Sequence, residues 1–571
     1  MTAAVTAFEV PMTLSKLSSH EALKMLQAGK PIVGRAIAKL DISHQCFESK
    51  VTIKKCSVEF LVAERTRFLG KVDLSETVFG KCAGPEEKKT GEPAPGAEDT
   101  DDNASETVHA ARLESAEFGG ATTFAQARFK GRTSFLSTVF AELADFEQAV
   151  FEDTADFSMT KYGGEVIFRN AAFEQHATFE EAEFDSAEFE ECRVEGKTNI
   201  SNAVFHGWAD FHGATLGRTL DGSAVKFRRG ADFGGVHFRG PTIFEDGCFQ
   251  SECSFADAQF SRLAVFNRAK LQGHSDFRHC AFADRAEFRG AELTGTLFDG
   301  AKFEGPTSFG RAHFEGKYTG FESVEFRART DFEDVGFDAV SFAKARFADV
   351  SFRNGVFRRS TILDGASFDG ETDFSSAQFK GSLSLLDVVL ERAQLKWTQV
   401  RGKLRSDAAG QFRDSMQQYG LLKTVFENGN EYEDMDRAYH MFKRCERKAA
   451  GLRERWVRSL MKPLEILFVD WGAGYGTRPR NVVIMTLLVI LAFAWFYWLF
   501  GGQFALPGRD AAAQGLGFYV YYSFVTFITI GAENVHPVYT DWLKAVVAFE
   551  GFTGFFLMTL FVATFTRKII R

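Results

Sequence analysis

Phe118, Phe124, Phe129, Phe135, Phe140, Phe146, Phe151 and Phe157 are spaced 6, 5, 6, 5, 6, 5 and 6 residues apart. Tyr162, Phe168, Phe173, Phe179 and Phe184 continue the alternation, which returns from Phe233 through Phe238, Phe244, Phe249, Phe255 and Phe260 to Phe266. Between Phe332 and Phe357 the step is five throughout. A helix repeats every 3.6 residues and a strand every 2.0, so neither places these rings on one face. A coil with four short sides does. The large residue in mid-side points inward, and a small residue two positions earlier lets the corner close. Ala127, Ala144, Ala149, Ala155, Ala171, Ala177, Ala182, Ala187, Ala231 and Ala286 hold that earlier position. Composition agrees: Phe occurs 63 times against 11 for Tyr and 11 for Pro, which marks a repeat rather than general aromatic richness. A looser form runs from Leu40 to Phe79 as LDISHQCF, KVTIKKCSVEF and KVDLSETVF.

This pattern resembles the pentapeptide-repeat family in its Phe-centred variant, with an A-[DENT]-F core, over roughly residues 40–80 and 110–380. The resemblance implies a mainly β fold, a right-handed quadrilateral β-helix. At about 21 residues per coil and ~4.8 Å per strand, residues 110–380 give about a dozen coils and a rod of roughly 60 Å. Each ladder Phe is read as core, and none as a ligand site.

A chain of 571 residues exceeds one ordinary core. We divide it into an N-terminal capping helix (1–35), first solenoid coils (36–82), a disordered acidic insertion (83–107) and the main solenoid (108–384). A helical connector with a juxtamembrane segment (385–480) and a membrane domain (481–571) follow. Ser18, Glu21 and the apolar residues after them predict the short capped helix. The insertion, AGPEEKKTGEPAPGAEDTDDNASE, has almost no large apolar residue. Residues 111–380 hold 30 Lys+Arg against 43 Asp+Glu, so the repeat is acidic and the remainder slightly basic. Eight scattered cysteines without a CxxC pair support neither a disulfide framework nor a metal site. The N-terminus lacks a basic stretch followed by an apolar core, so no cleavable leader is expected and residues 1–480 are expected in a reducing cytoplasm.

Helical spacing replaces the Phe ladder from about residue 385. Phe412, Met416, Tyr419, Leu422 and Phe426 share one face, Asn428-Gly429-Asn430 forms a turn, and Tyr432, Met435, Tyr439, Phe442 and Cys445 line a second helix. The rhythm is similar to one tetratricopeptide unit, and a single hairpin is read as a connector. Residues 441–460 carry seven Lys/Arg and two Glu, suited to an anionic membrane face.

Asn481 to Gly501 is 21 residues without a charge, enough to cross a bilayer. Arg478 and Arg480 precede it and Trp495, Tyr497 and Trp498 lie near its far end, which places its N-terminus in the cytoplasm. A second span, Ala545 to Thr566, is followed by Arg567, Lys568 and Arg571, returning the C-terminus to the same side. Between them Leu516 to Ile528 is apolar but too short to cross, the length of a re-entrant helix.

Thr529, Ile530, Gly531, Ala532, Glu533, Asn534, Val535, His536 and Pro537 stand where two-transmembrane potassium channels carry the filter Thr-Val-Gly-Tyr-Gly-Asp-x-x-Pro. Residues 481–571 resemble that family in the order of span, re-entrant helix, T-[IV]-G, Pro and glycine-bearing span. The resemblance implies that Thr529, Ile530, Gly531, Ala532 and Glu533 form a selectivity filter, with a permeant monovalent cation, K+ or Na+, at Thr529, Ile530 and Gly531. Ala532 replaces the Tyr that props the filter and Glu533 the second Gly, which opens the choice of ion. Four Glu533 at the mouth favour cations, the alternative being a solvated loop acid. Glu550 is an intramembrane acid, read as a packing or hydrogen-bonding partner of the re-entrant helix ahead of a pore-lining ion site. Gly551 and Gly554 are read as gate hinges or as sites of close helix packing.

One re-entrant loop cannot encircle an ion, so a homotetramer in a lipid bilayer is expected: a cation channel of a bacterial-type inner membrane, with two spans and both termini cytoplasmic. No Arg-rich voltage-sensing span occurs, so a gating signal is expected to enter through residues 1–480, where the solenoid offers a surface to an unknown protein or ligand. The alternative is a membrane-tethered scaffold. Several acidic pentapeptide-repeat proteins imitate duplex DNA, and residues 141–190 hold 14 Asp/Glu against two Lys/Arg. Nucleic acid itself is not expected as a partner. No phosphate loop, nucleophile elbow or metal-ligand spacing suggests an enzyme, and no cofactor beyond the permeant cation is expected.

Overall fold

The computed structural model describes residues 14–81, 109–449, 474, 477–505, 514–529, 536–537 and 541–569. The chain divides into two units, Met1–Leu395 and Lys396–Arg571. The first is a β-solenoid of short parallel strands, most of them two residues long. One of its faces carries 15 strands, one per turn, from Leu40–Asp41 to Thr372–Asp373. The step of the Phe row sets the length of each turn. Where steps of six and five alternate, paired residues lie 22 apart, as Thr133 with Ala155. Where the step is five throughout, Thr330 pairs with Val350.

The rings stack in four columns, one per side, because the strand spacing of ~4.8 Å suits offset aromatic stacking. Phe129 and Phe151 lie 4.7 Å apart at 2°. Phe124 and Phe146 lie 4.8 Å apart at 4°. Within one turn rings of opposite columns meet edge to face, as Phe124 and Phe135 do at 5.4 Å and 85°, and so do neighbours such as Phe118 and Phe124 at 6.3 Å and 79°. In the middle of the solenoid a ring such as Phe146 is therefore stacked along the axis and edge-packed across it. Each buried Phe contributes roughly 1.5–3 kcal/mol, with ~0.5–1.5 kcal/mol more per favourable pair.

Corners are of two kinds, which the spacing alone does not reveal. At every second corner one residue has positive φ: Gln126 (59°), Ser137 (55°), Gln148 (55°), Met159 (55°) and Asn170 (55°), eleven positions apart along the chain. At the Gln126 corner Ala127 N–H donates to Phe124 O at 2.9 Å, a turn whose third residue needs positive φ. The left-handed backbone costs an ordinary residue about 1 kcal/mol, yet it turns that residue's amide along the axis. Gln126 N–H reaches Glu147 O at 2.8 Å, and Gln148 N–H reaches Arg169 O at 2.9 Å. Corner amides thus join the inter-coil ladder instead of being buried unpaired. Ala127, Ala149, Ala171 and Ala182 follow such residues and close corners, whereas Ala144, Ala155 and Ala177 open strands along the next side.

The central position of the A-[DENT]-F core closes a local turn. Asp145 Oδ1 accepts from Glu147 N–H at 2.9 Å, and Asp232 Oδ1 from Gly234 N–H at 2.8 Å. Some polar residues at the small position bond within the core: Thr138 Oγ1 donates to Leu113 O at 2.7 Å and Cys280 Sγ to Phe255 O at 2.9 Å. Burial pushes the Cys192 and Cys253 thiols up to about 12, which makes them structural rather than reactive.

A helix at Ser19–Gln27 opens on a capping box of Ser18 and Glu21 and lays the fully buried Ala22 and Leu26 over the first coil. It covers an end that would otherwise expose apolar side chains and strand edges. The segment 83–107 lies outside the described residues, but its flanks pair as adjacent turns. Leu61 pairs with Ala111, 50 positions on, and Ala111 with Thr133, 22 positions on. Apart from a one-residue irregularity between His109 and Ala111, the coils keep their register across the insertion.

In the second unit a helical hairpin runs Phe412–Asn428 and Tyr432–Ala449. Tyr419, Leu422, Phe426, Met435 and Cys445 are buried, whereas Tyr432 is exposed. Ser415 and Gln418 take buried places, because both bond Ser406 at 3.0 Å. Asp434 is held by Trp397 N–H at 2.8 Å and by Arg437, so the preceding turn is fastened to the hairpin.

Candidate functional site

Among the described residues two helices are long and apolar enough to cross a membrane, Pro479–Leu499 and Trp542–Thr566, the latter within a helix at Asp541–Ile569. Between them lies the short apolar helix Leu516–Phe527. At 1.5 Å per residue it measures about 18 Å, too short to cross. It packs against both spans. Its N-terminal part meets the first span, the segment after it and the start of the second span through Ala494, Tyr497, Phe504, Tyr519, Tyr522 and Leu543. Its C-terminal end, Phe527, packs with Met485, Ile490 and Leu557. An antiparallel pairing of Phe504 with Pro537 and Ala505 with His536 ties the segment after the first span to the one before the second.

The short helix ends where the proposed filter begins. Ile528 N–H bonds Phe524 O at 3.1 Å, and Thr529 adopts φ 60°. Left-handed backbone is common just past a helix, but usually on Gly or Asn. A β-branched residue there is strained. The carbonyl end of the helix also carries partial negative charge, which favours a cation nearby. Ile530, Gly531, Ala532 and Glu533 lie outside the described residues.

Glu550 is fully buried on the second span. Tyr497 Oη donates to its Oε2 at 2.7 Å, and the Ser523 hydroxyl bonds its Oε1. Ser523 also lies 2.9 Å from Ile490 O. One carboxylate thereby joins the first span, the short helix and the second span. Elsewhere on the second span hydroxyls bond their own helix, Thr553 to Phe549 O and Thr559 to Phe555 O, both at 2.8 Å.

The two glycines differ in their surroundings. A Cβ on Gly554 would collide with the backbone at Phe527, so the helices touch there main chain to main chain. At Gly551 the nearest neighbour of a Cβ would be Thr526 O at 3.8 Å, an ordinary contact. Gly551→Ala is therefore expected to leave assembly and melting temperature nearly unchanged, whereas Gly554→Ala, which must push Phe527 aside, should cost roughly 1–3 kcal/mol. Thermal melting of the detergent-solubilised pair of variants checks this, and equal melting would remove the backbone contact.

The sequence singles out neither Ser523 nor Phe527, and it marks Tyr497 only as an aromatic near the far end of the first span. A signal existed for Tyr497 and Ser523, since each carries a hydroxyl that can bond an intramembrane acid. Nothing in the sequence marked Phe527, whose contribution is its main chain.

Comparison with known proteins gives two family matches. Residues 113–161, 146–193 and 179–221 match Pentapeptide repeats (9 copies), and residues 485–571 match Ion channel. Neither is an enzyme family. No curated protein matches the chain. Among solved structures, the crystal structure of HetL, a pentapeptide repeat protein involved in heterocyst differentiation regulation from the cyanobacterium Nostoc sp. strain PCC 7120, is 16% identical. The match covers 49% of this chain and 84% of HetL, with a TM-score of 0.12. The chain thus joins pentapeptide repeats to an ion-channel domain in a membrane protein.

Proposed function

We propose that a chain joining pentapeptide repeats to an ion-channel domain works as one subunit of a homotetrameric cation channel in a bacterial-type inner membrane. The solenoid and both termini lie in the cytoplasm, and the solenoid serves sensing or assembly. The observation that carries this reading is the left-handed Thr529 at the end of a helix too short to span. Irregular backbone at membrane depth is tolerated where protein or water surrounds it, and its carbonyls can then replace an ion's hydration shell. One such segment per chain needs four chains to enclose an ion. Thr529, Ile530 and Gly531 coordinate a monovalent cation, K+ or Na+, Ala532 completes the filter and Glu533 rings its mouth.

Mass measurement in detergent is expected to give four chains, and the purified protein in bilayers to pass cations. Glu533→Gln keeps the size and removes four charges, so conductance should fall most at low salt. The effect should vanish near 1 M, where the Debye length is about 3 Å. A stable monomer or dimer without current would instead favour a membrane-tethered scaffold or DNA-imitating binding protein.

A further inference from the structure

Ser523 and Phe527 stand four residues apart on the short helix, and Glu550 and Gly554 four apart on the second span. Residues at this spacing share a helix face. The two helices therefore meet at two successive rungs: a side-chain rung, Ser523 to Glu550, and a main-chain rung, Phe527 to Gly554. Tyr497 braces the first rung from the first span, and Ser523 is fully buried beside Ile490 O. The second rung lies two residues before Thr529.

We propose that this two-rung clasp makes Glu550 a positioning residue for the ion-coordinating segment, so that displacement of the second span is passed through Ser523 and Phe527 to Thr529. The inference rests on the channel reading above. Its physical basis is rigidity. A helix held at two points one turn apart can neither slide nor rotate independently of its partner, and a buried hydrogen-bonding group that loses its partner costs heavily. Thr529, two residues beyond the second rung, then inherits the orientation of the second span. Either rung alone would leave a pivot.

Glutamine can replace Glu550 without losing a bond: its amide N–H donates to Ser523 Oγ, the Ser523 hydroxyl donates to Ile490 O, and its carbonyl accepts from Tyr497. Alanine keeps none of these bonds. The test is single-channel recording of the full chain in bilayers with K+ on one side and Na+ on the other. Wild type is compared with Glu550→Ala, Glu550→Gln, Ser523→Ala and the double variant Ser523→Ala/Glu550→Ala. Glu550→Ala is expected to shorten open times about tenfold and to shift the K+/Na+ reversal potential. Glu550→Gln should restore both to wild-type values. The double variant should match Glu550→Ala, because both substitutions break one rung.

Unchanged open times and reversal potential in Glu550→Ala tetramers would overturn the clasp while leaving the channel intact. A Glu550→Gln variant as impaired as Glu550→Ala would also overturn it, since charge rather than the bonded geometry would then be at work. If Glu550→Ala does not assemble, Ser523→Ala and Glu550→Gln carry the same comparison. Wild-type protein that assembles but passes no cation would overturn the channel reading, and the clasp with it.

Discussion

Phe255→Asp is expected to destabilise the solenoid by at least about 5 kcal/mol. Phe255 is fully buried, stacked on Phe233 and on Phe277 at 4.8 Å each, and edge-packed by Phe266 at 5.5 Å. Removing the ring loses both stacks, and the carboxylate enters a column with no cation or donor to meet it. Because each turn contacts only its neighbours, the damage should spread locally in both directions and give a separate early unfolding step. Phe255→Leu should cost far less, about 1.5 kcal/mol, since Leu363 already sits buried in the same column. Circular dichroism melting of the full chain distinguishes the two. Equal melting curves for Phe255→Asp and wild type would mean that the Phe row does not face inward.

Gly531→Val is expected to abolish cation current while the mass in detergent stays at four chains. On the proposed channel reading a branched side chain would intrude where backbone carbonyls are to face the ion, and valine cannot take the backbone conformations open to glycine. The contrast with Glu533→Gln is diagnostic, because removing charge at a mouth is screened by salt whereas a blocked coordination site is not. Loss of current in Gly531→Val at every salt concentration, beside a salt-dependent fall in Glu533→Gln, places the segment in the ion path. Wild-type currents in both variants would show that it does not line the path.

The solenoid was legible because its rule is local and repeated. The position of Phe124 predicts that of Phe146, and the coil above supplies the environment that the coil below requires. The membrane spans were legible for a similar reason, as an uncharged run of sufficient length needs no partner to be recognised. Helix ends were less so: the first span runs Pro479–Leu499 rather than from Asn481 to Gly501, and the helix of the second begins at Asp541 rather than Ala545. In the hairpin the apolar rhythm located both helices. It did not reveal that Ser415 and Gln418 are buried and Tyr432 exposed, because Ser406 supplies the partners from outside the pattern.

By itself the sequence determined the four-sided coil, the capping box at Ser18 and Glu21, the two spans and the short helix between them. Each follows from a periodicity or a length written within one segment. Only the tertiary structure decided which corners turn left-handed, since that depends on where each amide must point to reach the next coil. It alone decided what Glu550 and Gly554 touch. Tyr497 lies 53 residues from Glu550 and Ser523 lies 27 away. Pairing across such separations is fixed by the packing of three helices and not by any pattern within one.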